Sequence, residues 1–238
     1  MPPRASPGPH QTLRVFESAG ELTAALVTRL AQAVSGAASV PAALMLSGGN
    51  TPLPAYRALA AQHPAPAPGL TLLYCDERYV AASSPDSNYF QSRVLIEALA
   101  LPAERVLRVR TELPLLAAAS DYAARLADLE RRGIRIALGL LGLGADGHTA
   151  SLFSAADIAR AAQQRAVAVH RPDGRDAVTV TPSVLQGVGE LLFVVAGADK
   201  RAALARLRAG ERELPACGAV AARAEIEIWA DRQACPQA

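Results

Sequence analysis

His148 is the side chain of this sequence best placed to move a proton. It stands in a glycine-rich run, Gly142-Leu143-Gly144-Ala145-Asp146-Gly147-His148-Thr149-Ala150-Ser151-Leu152-Phe153, two residues after Asp146. An unperturbed imidazole titrates near ~6.5, so a neutral histidine can take up a proton close to pH 7. A neighbouring carboxylate fixes the tautomer of such a ring or stabilises the imidazolium that forms, which casts Asp146 as the partner. A structural or surface role suits His10, His63 and His170 but suits His148 poorly, with Asp146 and three glycines beside it. The glycines also match Gly-x-Gly-x-x-Gly. A dinucleotide site needs that motif near its first strand, opening into a helix, with an acid about twenty residues further on. Here the run lies past mid-chain and Val-Ala-Val at 167–169 fills the place of the acid, so nicotinamide binding is rejected.

Three further stretches could hold an anion. Leu46-Ser47-Gly48-Gly49-Asn50-Thr51-Pro52 joins an apolar run to a helix start. Glycines let backbone N–H groups approach a phosphate, and the helix dipole assists. Thr51 is expected to cap that helix, with Pro52 in its first turn. The loop lacks the Gly-Lys-Ser/Thr of a nucleotide-binding loop. Asp76-Glu77-Arg78 follows a second apolar run, with Asp86-Ser87-Asn88-Tyr89 shortly after. Arg78 could clamp a phosphate with two N–H groups, while Asp76 or Glu77 orients sugar hydroxyls or holds Arg78 in place. Taken alone, that triplet reads better as a solvated charge cluster at a strand end. Gly197-Ala198-Asp199-Lys200 opens a later helix, and Lys200 could reach a phosphate as a point charge. The candidate binding set is therefore Ser47, Gly48, Gly49, Thr51, Asp76, Glu77, Arg78, Asn88, Gly144 and Lys200, around His148 and Asp146.

Other chemistries fare worse. There is no Gly-x-Ser-x-Gly elbow for a serine hydrolase and no histidine pair at metal-ligand spacing, so no metal is expected. Cys75 ends an apolar run and reads as inert core. Cys75, Cys217 and Cys235 are odd in number with no Cys-x-x-Cys pair, which favours a reducing cytoplasm. The net charge of +2 gives no field to attract nucleic acid or membrane, so an anion must be bound locally. No apolar run approaches the ~20 residues of a membrane span. Residues 1–11, rich in proline and polar residues, are expected to be a flexible tail, and 12–238 a single domain.

Strands and helices alternate along the rest. Strands are expected at 13–16, 42–46, 70–75, 105–109, 136–141, 165–169, 178–180, 191–196 and 226–229. Helices are expected from a Ser18/Glu21 capping box to 34, and at 51–61, 89–99, 115–131, 182–187 (capped by Thr181) and 200–208. The alternation implies an α/β fold, a mostly parallel sheet with helices on both faces. Ligands of such sheets bind beyond the C-terminal strand ends, where all of these loops lie.

Taken together and in this order, the loops resemble the 6-phosphogluconolactonase family. The resemblance also rests on Val178-Thr179-Val180-Thr181, and it spans about 15–231. It implies a fold shared with glucosamine-6-phosphate deaminase and, more distantly, ribose-5-phosphate isomerase. It implies hydrolysis of 6-phospho-D-glucono-1,5-lactone without a cofactor, with a functional link to glucose-6-phosphate dehydrogenase in the oxidative pentose phosphate pathway. The deaminase itself fits less well: its family has Tyr where this chain has Arg78, and a glutamate after the histidine segment that is missing near Ser154. Sugar-phosphate-sensing regulators of related fold normally carry a DNA-binding module, for which there is no room before Leu13. One departure matters. The family usually carries Arg directly before Val-Thr-x-Thr, where this chain has Ala177; if that arginine touches substrate, Arg175 must substitute or affinity falls.

Overall fold

A computed structural model describes residues 8–36, 41–160 and 164–235. β1 (His10–Phe16) leads into α1 (Ala19–Ser35), β2 (Ala42–Leu46), α2 (Leu53–Ala60), β3 (Thr71–Tyr74), β4 (Asp76–Arg78) and α3 (Asn88–Ala98). Then come β5 (Val106–Leu107), α4 (Leu115–Arg131), β6 (Arg135–Leu141), α5 (Ala155–Arg160), β7 (Ala166–His170), β8 (Asp176–Val180) and α6 (Pro182–Gly187). β9 (Glu190–Val195), α7 (Arg201–Ala209), α8 (Pro215–Val220) and β10 (Glu225–Asp231) follow.

Seven strands form a wholly parallel sheet in the order β1-β10-β9-β6-β2-β3-β5. Alternate side chains of each strand serve opposite faces. Leu44, Leu46, Leu72, Tyr74, Leu138 and Leu140 pack with Leu26, Leu30, Tyr56 and Leu95 of α1, α2 and α3. Ala43, Met45, Leu73, Leu141, Phe193 and Val195 pack with Tyr122, Leu126, Leu185, Leu204 and Val220 of α4, α6, α7 and α8. Both faces are covered, so the strands read as unbroken apolar runs. Among the described residues no helix is long and apolar enough to cross a membrane.

Several expectations change. The strands near 165–169 and 178–180 do not join the parallel sheet: β7 and β8 pair antiparallel, with β4 on the other edge of β8. The turn between β7 and β8 closes through Arg171 N–H to Arg175 O at 2.8 Å, far too short for a parallel crossover. β4 itself continues almost directly from β3. The Cys75 peptide links the two sheets, donating to Leu46 O and accepting from Val180 N–H, each at 2.8 Å. Residues 1–7 lie outside the described residues, but His10 and Gln11, assigned to the tail, belong to β1 and pair with Glu225 and Ile226.

Thr51 does not cap α2. Pro52 holds the cap position with helical φ −81° and ψ −22°, and no side chain caps it. A threonine cap bonds the second or third N–H of its helix, and Pro54 has none to give. Thr181 precedes α6 but gives its hydroxyl to Gln164 O at 2.5 Å and caps nothing. Ser18 does cap α1, accepting from Glu21 N–H at 3.2 Å, while the Glu21 carboxylate accepts from Glu17 N–H.

Candidate active site

β2 lies between β3 on one side and β6 on the other. The chain leaves β2 towards β3 and β5, then returns across the sheet to β6, so the loops after β2 and β6 turn apart and open a crevice. Its volume is about 330 Å³, and its walls are the 47–52 and 142–150 segments, β4, Asn88, Arg171 and the 194–200 segment. Hollows of 460 and 640 Å³ lie elsewhere, along α4, but neither holds a histidine. The crevice is the candidate site because the convergent polar groups are there.

The loop after β6 is shaped to present His148. Gly147 takes φ +88°, open to glycine and strained for other residues, and Gly144 accepts from Gly147 N–H at 2.9 Å. A Cβ on Gly144 would sit 2.2 Å from His148 Nδ1 and 2.4 Å from Asp146 Oδ1, so only glycine lets that pair form. Asp146 Oδ1 lies 2.5 Å from His148 Nδ1 and accepts the His148 backbone N–H at 3.1 Å. A carboxylate there holds the ring proton on Nδ1 and leaves the Nε2 lone pair to act as base. Burial raises the Asp146 carboxyl, but the backbone and ring of His148 outweigh it and hold it below the usual carboxylate value. The Phe153 ring packs on the imidazole, centroids 4.4 Å apart.

The loop after β2 is braced from below. Tyr56 of α2 donates its hydroxyl to Ser47 O at 2.8 Å and accepts Ser47 N–H at 3.2 Å. Among the described residues the N–H groups of Gly48, Gly49, Asn50 and Thr51 have no hydrogen-bond acceptor, as an anion cradle requires. Lys200 reaches the same crevice, 3.0 Å from Asp199. Its turn is set by Gly197, at φ +100°, whose N–H donates to the buried Asp231 carboxylate at 3.1 Å.

β4 supplies the remaining wall. Arg78 Nη1 donates to Asn88 Oδ1 at 2.9 Å and Asp86 O at 2.8 Å. The Asn88 amide donates in turn to Asp76 O at 2.8 Å and Asp76 Oδ1 at 3.1 Å. Gly48 lies so close that a Cβ would come within 2.0 Å of Asn88 Oδ1. Asp76 Oδ2 accepts the Ser151 hydroxyl at 2.6 Å, and Ser151 accepts Arg171 Nη1 at 3.2 Å.

Ser47, Gly48, Gly49, Thr51, Asp76, Arg78, Asn88, Gly144, His148 and Lys200 thus share one crevice. Asp146 stands behind His148. Glu77 does not join them: it is 1 % exposed and faces the start of α3. It accepts from the backbone N–H groups of Arg78, Asn88 and Tyr89 and from the Ser87 hydroxyl, at 2.6–3.0 Å. Period-two alternation turns Glu77 away from the wall that Asp76 and Arg78 form. Arg175 does not line the crevice either: it is exposed and paired with Asp86 and Asp173. Arg171, which sequence reasoning passed over, lines the crevice instead. The short turn at Asp173-Gly174 was the available signal, since a hairpin there puts 171, 175 and 177 on one face. Cys75 is fully buried, and burial pushes its thiol well above the usual range, which suits inert core. Among the described residues no three His, Cys, Asp or Glu side chains gather as a metal-holding group.

Comparison with known proteins gives one consistent likeness. Residues 17–229 match the family model described as glucosamine-6-phosphate isomerases/6-phosphogluconolactonase. A 6-phosphogluconolactonase of Homo sapiens is 34% identical over 226 residues, covering 89% of this chain and 86% of its own. One from Nostoc sp. is 37% identical over 173 residues, 69% of this chain and 70% of its own. The solved devB protein superposes with a TM-score of 0.82 at 29% identity, over 94% of this chain and 98% of that one. A monomeric glucosamine-6-phosphate deaminase shares the fold, with a TM-score of 0.79 at 19% identity over 94% and 98% of the two chains.

Proposed function

This chain belongs to the glucosamine-6-phosphate isomerase/6-phosphogluconolactonase family, and we propose that it hydrolyses 6-phospho-D-glucono-1,5-lactone to 6-phospho-D-gluconate. The observation that carries this reading is the Asp146–His148 pair, at 2.5 Å, facing a crevice whose opposite wall is the free-amide loop 48–51. The lactone is an internal ester bearing a phosphate, and its hydrolysis needs a base for water and an anchor for the dianion.

His148 Nε2 takes a proton from water as the oxygen attacks C1. Asp146 stabilises the imidazolium that forms. The oxyanion collapses, the C1–O5 bond breaks, and the imidazolium returns its proton to the ring oxygen. The amides of 48–51 and the charges of Arg78 and Lys200 hold the phosphate, and the Asp76–Asn88 pair keeps Arg78 aimed. Oxidation of the C1 hydroxyl of glucose 6-phosphate supplies this substrate, so the reading includes a functional link to glucose-6-phosphate dehydrogenase, and the free Cys75, Cys217 and Cys235 support a cytoplasmic setting for it.

The test generates the 1,5-lactone in place from glucose 6-phosphate and follows its decay, with spontaneous hydrolysis subtracted. Decay should quicken with the protein, and His148→Ala should lose about 10²- to 10⁴-fold in kcat with KM largely kept. A folded protein that leaves the decay unchanged, or a His148→Ala variant with full turnover, would overturn the reading. Glucosamine 6-phosphate serves as the control substrate and should not be turned over.

A further inference from the structure

Arg171 follows the end of β7, and its N–H to Arg175 O bond carries the β7–β8 pairing one step into the turn. Val169 pairs with Ala177, and Ala177 with Arg78. Residues 169, 171, 175 and 177 therefore share one sheet face, that of Arg78. Ala177 is wholly buried there and brings no charge. Two positions towards the turn, Arg171 sits on the same face and lines the crevice.

The Arg171 guanidinium is held on several sides. Nη1 donates to Ser151 Oγ at 3.2 Å, Nε lies 3.3 Å from the Asp173 carboxylate, and the Phe153 ring centroid is 5.1 Å from its central carbon. Among the described residues Nη2 has no acceptor. The side chain is only 13% exposed, so its orientation is fixed before any ligand arrives. Charge completes the argument. The crevice is lined by the cations Arg78, Arg171 and Lys200 and the anions Asp76 and Asp199, three against two. Without Arg171 the formal charges of the lining would sum to zero, leaving the free amides of 48–51 and the placement of Arg78 and Lys200 to draw in a dianion.

We propose that Arg171 binds the phosphate of the substrate from the β7–β8 turn, with Ser151, itself held by Asp76, as its positioning residue. This rests on the sugar-phosphate reading of the crevice above. A planar guanidinium with a free edge suits phosphate oxygens, and hydrogen bonds to charged groups are among the stronger ones.

The experiment compares wild type, Arg171→Ala, Arg171→Lys, Ser151→Ala and the double variant, with thermal melts to establish folding. Lactonase kinetics are measured alongside calorimetric binding of 6-phosphogluconate and gluconate. Arg171→Ala should raise KM and the Kd for 6-phosphogluconate about ten- to a hundredfold, leave kcat within a few-fold, and leave gluconate binding unchanged. Arg171→Lys should fall between. Ser151→Ala should raise KM in the wild-type background and add nothing in Arg171→Ala. An unchanged KM, a loss confined to kcat, an equal weakening of gluconate, or a lysine no better than alanine would each overturn the proposal. Should wild type fail to hydrolyse the lactone, calorimetry with glucose 6-phosphate against glucose still decides the role of Arg171, since only phosphorylated sugar should lose affinity in Arg171→Ala.

Discussion

Asp146 determines what His148 can do. In the proposed mechanism its carboxylate, 2.5 Å from Nδ1, accepts the hydrogen bond of that nitrogen and leaves the Nε2 lone pair free, so the two side chains work as one group. Asp146→Asn can turn its amide N–H towards Nδ1, which moves the ring proton to Nε2 and removes the base. Steady-state kinetics should show kcat falling about 10²- to 10⁴-fold with little change in KM. Gly144→Ala should be as damaging for a different reason. Its Cβ has no room beside either ring or carboxylate, so the pair separates. The imidazole resonances of a folded Gly144→Ala protein should lose the signature of the Asp146 bond, and unchanged turnover would contradict the geometry.

At the scale of elements, each chemical loop is fixed by a residue outside it. Tyr56 reaches from the second turn of α2 to both polar backbone groups of Ser47. Tyr56→Phe leaves those buried groups unpaired, at a cost of about 1–3 kcal/mol in unfolding free energy. Because Ser47 begins the anion loop, KM should rise as well, and a variant that loses stability with KM unmoved would separate the loop from its brace. Ser18 is a purely structural counterpart. Ser18→Ala removes the cap of α1 and should cost about 1 kcal/mol in denaturant unfolding while leaving kinetics unaltered.

Across the whole molecule, pH stability is shaped by Glu77, buried where the two sheets and α3 meet. Burial pushes its carboxyl up to about 7, against the opposing pull of hydrogen bonds from Tyr89, Asn88 and Ser87. The unfolded value is near 4.5. The folded protein therefore binds this proton more tightly. The stability it contributes is full below about pH 4.5 and is lost as pH rises to about 7, by at most about 1.4 kcal/mol per pH unit. Glu77→Gln cannot titrate. The difference in unfolding free energy between wild type and that variant should shift in the variant's favour across the window. A flat difference would mean that the hydrogen bonds keep Glu77 ionised throughout.

Residue order and type are enough to specify the parallel sheet, the position of its loops and the chemistry of most of the wall. Apolar runs such as 42–46 and 136–141 are legible because a strand buried on both faces leaves no polar residue to blur its limits. Gly144, Asp146 and His148 are legible because their pairing is local, settled within five residues by a turn that demands glycine. Tertiary structure alone decided the rest. Whether β7 and β8 join the large sheet depends on the pairing of β8 with β4, about a hundred residues away. That pairing aims Asp76 and Arg78 into the crevice and Glu77 beneath it, although the three are adjacent in the chain. Likewise Arg171 and Arg175 differ little as text. One packs on Ser151 and Phe153 and lines the crevice, while the other is drawn off by Asp86, because long flexible side chains go to whichever partners the fold brings within reach.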